Sequence, residues 1–215
     1  MAVLPISVYG TQVLRTKAKP VESLDDKIIG LIRDMFETMS VAGGIGLAAN
    51  QVGIPVQLIV VDISDVEEGK TAAGGVRMAL INPVILSQEG EDTMEEGCLS
   101  IPGVREMVTR ARKIRVRFRD ANFELKEMEA EGLLARVILH EYDHLMGVLF
   151  IDRIPSLKRT MMKAKLNQIK RGEVEVQYEI VTQEAESWAV SHLSRRHAIP
   201  PKNGGRVHKL KKVHL

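Results

Sequence analysis

A chain of 215 residues, 45% of them hydrophobic, can bury a sizeable core and suits one domain with appendages better than two full domains. Thirty basic residues against 28 acidic ones leave a net charge of +2, so the overall balance names no partner and gives no reason to expect DNA. No stretch approaches the roughly 18 apolar residues of a membrane span, the N-terminus lacks the basic and apolar regions of a secretion signal, and the one cysteine, Cys98, excludes an intramolecular disulfide. A cytoplasmic protein that neither enters nor crosses a membrane is expected.

In chain order, residues 24–41 carry Ile28, Ile32, Met35, Phe36 and Met39 at helical spacing, with Gly43 and Gly44 placed to end the helix. A core-facing stripe is the simplest reading of these side chains. Residues 56–62 form a continuous apolar run rich in β-branched side chains, and residues 77–86 are a second extended candidate; residues 67–75 between them are polar and contain glycine, as a loop would. Residues 113–120 alternate Ile114, Val116 and Phe118 with Arg115, Arg117 and Arg119, the period of a strand with one buried face.

Residues 131–146 predict a helix stopped by Gly147, followed by a short returning strand at 148–151. Leu133, Val137, His140 and His144 share one face of this helix; Leu134, Ile138 and Leu145 follow the neighbouring stripe into the core. A further helix spans 156–171, with Ser156 as its cap and six Lys or Arg residues but no Asp or Glu. Residues 195–215 hold seven basic and no acidic residues together with Pro200-Pro201 and Gly204-Gly205, the composition of a disordered tail. The expected organisation is a catalytic domain at 1–172 and a basic C-terminal extension at 173–215.

The chemistry concentrates in His140-Glu141-Tyr142-Asp143-His144. Positions i and i+4 lie one above the other on a helix, so two imidazoles can share one cation, and Glu141 stands beside them to handle the proton of a water. A solvated or hydrogen-bonded pair is the bland alternative, but of six histidines these are the only two before residue 192. Metal-assisted hydrolysis is therefore the first reading. A catalytic site of this kind usually takes three protein ligands and keeps one position open. Glu173 and Glu175 lie downstream beyond a predicted strand and helix. Upstream, Glu95-Glu96-Gly97-Cys98-Leu99-Ser100 offers a thiolate, which with two imidazoles makes a Cys-His-His set; on its own, Cys98 is as readily a buried apolar thiol.

Three segments, in order, resemble the motifs of the peptide deformylases: Gly44-Ile45-Gly46-Leu47-Ala48-Ala49-Asn50-Gln51, then Glu96-Gly97-Cys98-Leu99-Ser100, then His140-Glu141-Tyr142-Asp143-His144. With Val13-Leu14-Arg15 and Ala18-Lys19-Pro20-Val21 the resemblance spans roughly residues 3–170. It implies an α+β fold of mostly antiparallel strands around a central metal-binding helix, with an N-terminal amphipathic helix and a C-terminal basic one. It further implies removal of the formyl group from the N-terminal methionine of nascent polypeptides, releasing formate.

Cys98, His140 and His144 are then ligands of a divalent metal, typically Fe(2+), with zinc, nickel or cobalt as substitutes. Glu141 takes the proton of the attacking water and returns it to the leaving amine, while the Gln51 side-chain amide and the Leu99 backbone N–H donate to the developing oxyanion. Gly44, Ile45 and Gly46 line the path of an extended peptide; Leu133 and Val137 wall the methionine pocket; Arg105 lies near the peptide. Arg136 departs from the aliphatic residue expected at the pocket rim, and Asp143 is assigned to orienting an imidazole or stabilising the helix. The basic helix and tail suggest contact with ribosomal RNA. An HExxH metallopeptidase would leave Cys98 and Gln51 unexplained, and a non-enzymatic, ribosome-associated metal module would need a fourth ligand that no Cys or His before residue 192 supplies.

Overall fold

The computed structural model describes residues 2–66, 70–71 and 74–185. In chain order these form β1 (Ile6–Ser7), α1 (Asp26–Val41), β2 (Gly46–Ala48), β3 (Leu58–Asp62), β4 (Lys70–Thr71), β5 (Gly74–Gly75), β6 (Arg77–Glu89), β7 (Asp92–Cys98), β8 (Ile101–Arg110), β9 (Lys113–Arg119) and β10 (Leu125–Glu131). Then follow α2 (Gly132–Leu145), α3 (Ser156–Met161), α4 (Lys163–Lys170) and β11 (Ile180–Val181). The tail expected at 195–215 lies outside the described residues, as does most of the loop expected at 67–75, although β4 and β5 pair there as a two-residue hairpin.

Five strands pair antiparallel throughout in the order β10-β9-β6-β3-β2. The continuous apolar run of β3 is explained by burial on both faces. Leu58 and Val60 pack with Leu31, Met35 and Met39 of α1, while Ile59 and Val61 pack with Ala135, Ile138 and Leu145 of α2. Each such side chain contributes about 1.5–3 kcal/mol by leaving water. β9 alternates as its sequence predicts: Ile114, Val116 and Phe118 join the α2 side, and Arg115 and Arg117 reach across to Glu127 on β10. At Asn82 the backbone turns to φ +52° and the β6–β9 register shifts before Pro83, which has no N–H for a ladder; the Asn82 side chain exchanges two hydrogen bonds with the backbone of Val21.

Both α1 and α2 end where their glycines predict. Asp25 accepts from the Ile28 N–H at the start of α1, and Gly43 and Gly44 donate back to Ser40 and Met39 at its end. Gly147, at φ +75°, ends α2 the same way, and a Cβ there would also meet the Arg15 carbonyl oxygen at 2.7 Å.

Two expectations are corrected. Residues 148–151 do not form a strand: after extended Leu149 the chain tightens into a single 3₁₀ turn, Phe150–Asp152, because the Asp152 carboxylate accepts from the Leu149 N–H (2.9 Å) and pairs with Arg15 (2.5 Å). The helix at 156–171 is two helices that meet at Met162. Ser156 lies inside the first turn of α3, after Pro155, and makes no side-chain cap. The bend lets Leu166 and Ile169 of α4 enter the core while α3, with no buried residue, stays outside. After Gly172 the chain reverses, and β11 pairs parallel with β1. No helix among the described residues is long and apolar enough to cross a membrane.

Candidate active site

The site lies where α2 faces the β7–β8 hairpin and the 3₁₀ turn Ala49–Val52. On α2, His140 and His144 lie one turn apart with their rings edge to face, 5.1 Å between centroids, and His140 stacks on Phe150 at 6.1 Å. Cys98, at the end of β7, brings its Sγ to 3.2 Å from His144 Nε2. The donor atoms of Cys98, His140 and His144 all fall within 4.8 Å of one another, close enough for one ion to touch all three. Two buried polar atoms on the same helix, Glu141 Oε2 and His144 Nδ1, have no hydrogen-bond partner among the described residues. A cysteine sulfur and two imidazoles gathered around a common point fit a divalent transition metal.

Electrostatics differ sharply among these groups. Burial pushes the Glu141 carboxyl up to about 7, against the lowering charges of His140 and Arg110, so it can both take and give a proton near neutrality. Burial also drives His144 well below the usual histidine range, helped by the charges of His140 and Arg110. Burial opposes charge on His140 too, but hydrogen bonds to Cys98 and Glu96 outweigh it and hold that group well above its ordinary value. Metal binding requires neutral imidazoles, so a bound cation displaces this proton.

Gln51 is fixed by its own turn. Its Oε1 accepts from the Ala48 N–H (2.8 Å), which directs the NH2 end toward Cys98 Sγ (3.6 Å) and Ser100 Oγ (3.2 Å). Gly46 leaves room for the acid: a Cβ there would lie 2.5 Å from Glu141 Oε1 and 2.7 Å from Val137 Cγ1.

All the predicted site residues except His144 line one cavity of about 550 Å³; His144 lies just behind it, 1% exposed. The glycine segment, the Cys98 turn and the α2 face thus converge from three distant stretches of chain. Arg105 stands at the mouth, exposed, 3.4 Å from Glu95.

A buried charge network behind the cavity is largely absent from a motif-based reading. Glu96 accepts at one oxygen from Arg110 Nε (2.5 Å) and Arg136 Nη1 (2.9 Å), and at the other from Arg110 Nη2 (2.9 Å), with His140 Nδ1 at 2.8 Å. Burial would raise the Glu96 carboxyl, but His140 and Arg110 hold it far below the usual carboxylate range. Glu96, not Asp143, therefore orients an imidazole; Asp143 accepts from Arg110 (2.6 Å) and from Arg153. Arg136 is no loose rim residue either, since its guanidinium is bound to Glu96 and to the carbonyls of Val108 (2.7 Å) and Asp92 (2.6 Å). Arg110 and Arg153 could be suspected only as cations near a motif, and Tyr178, which donates to the Leu99 carbonyl (2.7 Å), gave no signal at all.

A near-neutral glutamate beside a Cys-His-His donor set, at the base of a cavity wide enough for the end of a peptide, is the arrangement of a metal-dependent amide hydrolase. Residues 3–160 match the sequence model of the polypeptide deformylase family. A peptide deformylase of Salinibacter ruber is 47% identical over 191 residues, covering 86% of this chain and 97% of that protein, and one of Chlorobium phaeovibrioides is 46% identical over 176 residues, covering 82% and 91%. The crystal structure of a peptide deformylase from Legionella pneumophila superimposes with a TM-score of 0.72 at 41% identity, covering 80% of this chain and 98% of that one.

The chain belongs to the polypeptide deformylase family. It is a metal-dependent hydrolase that removes the N-formyl group from the N-terminal methionine of newly synthesised polypeptides and releases formate. The two rivals, a peptidase cleaving ordinary amide bonds and a non-catalytic metal module, find no support in these likenesses.

Proposed function

We propose that Cys98, His140 and His144 hold the metal, that it is Fe(2+), with zinc, nickel or cobalt able to substitute, and that Glu141 carries the proton. The observation that carries this reading is the shared point between the three donors with Glu141 beside it. When bound, the ion supplies Lewis acidity, which acidifies a water and polarises the formyl oxygen. Glu141 accepts the proton of the attacking water and passes it to the amine nitrogen as the formyl C–N bond breaks, so that formate and a free N-terminus leave. Negative charge on the formyl oxygen is met by the Gln51 amide, already turned to the site by its bond to Ala48, and by the Leu99 N–H.

The substrate's backbone runs along Gly44, Ile45 and Gly46. β2 is the last strand of its sheet, so its outer edge can accept an added strand, while Gly44 and Gly46 let Leu99 and Glu141 close in on the segment. Leu133 and Val137 wall the methionine pocket on the α2 face, and Arg105 at the mouth offers a charge to the peptide beyond. In this reading residues 1–172 are the catalytic domain and 173–215 an extension. The protein acts in the cytoplasm, beside the ribosome that supplies its substrate. The six basic residues of α3, α4 and Arg171 are the surface that meets ribosomal RNA, with Lys163, Lys165 and Lys170 available because Lys158, Arg159 and Arg171 pair with Glu106, Asp152 and Glu173.

Metal analysis of protein purified without oxygen tests the ligands and the ion together. One equivalent of iron is expected, lost on replacing Cys98 by Ala and retained on replacing Glu141 by Gln. Stoichiometric metal in the Cys98→Ala protein contradicts the ligand set.

A further inference from the structure

Residues 173–181 follow the segment 3–160 that matches the family's sequence model, and they form part of the cavity wall. Glu175, Val176 and Tyr178 face the same space as Cys98, Leu99 and Glu141. The segment is tied down at its far end, where Ile6 N–H donates to Glu179 (2.8 Å) and Val8 N–H to Val181 (3.0 Å), and Val174 and Ile180 pack on the core beneath the hairpin. The half-buried Tyr178 hydroxyl reaches the Leu99 carbonyl at 2.7 Å. A carbonyl oxygen only accepts, so the phenol is the donor.

Leu99 and Ser100 make the turn between β7 and β8, where the hairpin register shifts after Gly97. There the turn is held from outside the hairpin: Tyr178 donates to the Leu99 carbonyl, the Tyr9 N–H donates to the Ser100 carbonyl (2.8 Å), and Gln51 donates to the Ser100 hydroxyl. The Leu99 N–H and carbonyl lie in adjacent peptide planes joined at its Cα, so holding the carbonyl fixes the Cα from which the N–H projects and limits the N–H to rotation about the torsions between them.

We propose that Tyr178 is a positioning residue for deformylation, holding Leu99 so that its N–H points at the substrate oxygen, and that the segment carrying it completes the substrate cavity. This rests on the reading of Leu99 as an oxyanion donor. The hydroxyl acts on the transition state through Leu99, while the ring and its neighbours act on binding as a wall.

Anaerobic steady-state kinetics on a formyl-methionyl tripeptide separate these effects. Tyr178→Phe keeps the ring and removes only the donor. It should lower kcat about tenfold, as expected for a loosened rather than deleted donor, with KM, melting temperature and bound metal unchanged. Tyr178→Ala should lower kcat equally and also raise KM several-fold by opening the wall. A Tyr178→Phe enzyme with the kcat of the wild type overturns the positioning role, as does a loss of kcat that merely follows lost metal or a lowered melting temperature. Equal KM in the Phe and Ala variants overturns the wall. A wild-type protein that releases no formate sinks the deformylase reading itself, and this role with it.

Discussion

An alanine at position 46 has nowhere to put its methyl group. A Cβ there would lie 2.5 Å from Glu141 Oε1 and 2.7 Å from Val137 Cγ1, both too close, and the carboxylate would have to turn away from Cys98, His140 and His144. Gly46→Ala should therefore cost about 1–3 kcal/mol of stability and a far larger share of activity, on the order of a hundredfold. Denaturant unfolding and kcat on the same preparation check the two effects. Glu141 itself is 4% exposed, with one oxygen lacking a partner among the described residues, so Glu141→Gln keeps the shape of the site and, on the proposed mechanism, removes only the proton carrier. Turnover should fall by about 10²–10⁴ while metal content and melting temperature hold, and surviving turnover would show that the proton moves by another route.

At the scale of elements, the β7–β8 hairpin is bolted to α2 by charges rather than by apolar contact alone. Glu96 on β7 faces Arg110 on β8 and both Arg136 and His140 on α2. Glu96→Gln leaves two buried guanidiniums short of an anion and should destabilise the fold by about 3–5 kcal/mol, read from denaturant unfolding; replacing a pair by shape-matched apolar side chains should cost much less. A milder link ties the N-terminal segment to the turn after α2. Burial would raise the Asp152 carboxyl, but hydrogen bonds from Arg15 and from the Leu149 N–H, and the charges of Arg15 and Arg159, set it below its ordinary value. A lowered carboxyl stabilises the fold above its unfolded value, and that contribution fades as pH falls through the folded one. Asp152→Asn should thus unfold more easily than wild type at pH 7 by up to about 1 kcal/mol, and the two melting curves should converge in strong acid.

The elements also show what a sequence can and cannot disclose. Helical spacing in α1, alternation in β9 and the apolar run of β3 each record a local periodicity, because burial of a face repeats with the backbone. The turn Phe150–Asp152 and the bend at Met162 depend on partners far along the chain, Arg15 in one case and the core beneath Leu166 and Ile169 in the other, so local pattern suggested a strand and one long helix. The same holds in the site. Cys98, His140, Glu141 and Gln51 stand in short motifs whose spacing is itself chemical. Arg110, Arg153 and Tyr178 contribute through contacts 10 to 79 residues away, which no motif encodes.

For the molecule as a whole, the near balance of charge conceals an uneven distribution. Lys163 and Lys170 are exposed seven residues apart on α4, and the half-buried Lys165 reaches past Gly103 of β8. If this surface meets ribosomal RNA, changing all three to Gln should weaken co-sedimentation with ribosomes and flatten its salt dependence, while formate release from a free tripeptide stays as in the wild type; co-sedimentation that is unchanged would remove the idea. The fold otherwise serves one purpose, bringing a glycine-flanked sheet edge, a cysteine turn and a histidine helix to one cavity.

The most direct test of that account is the product released by protein loaded anaerobically with iron and given formyl-methionyl peptide beside its acetylated and unformylated forms. Rapid, equimolar formate and free amine from the formylated peptide alone are the predicted result. Release of internal peptide fragments, or equal hydrolysis of the acetylated peptide, would contradict it.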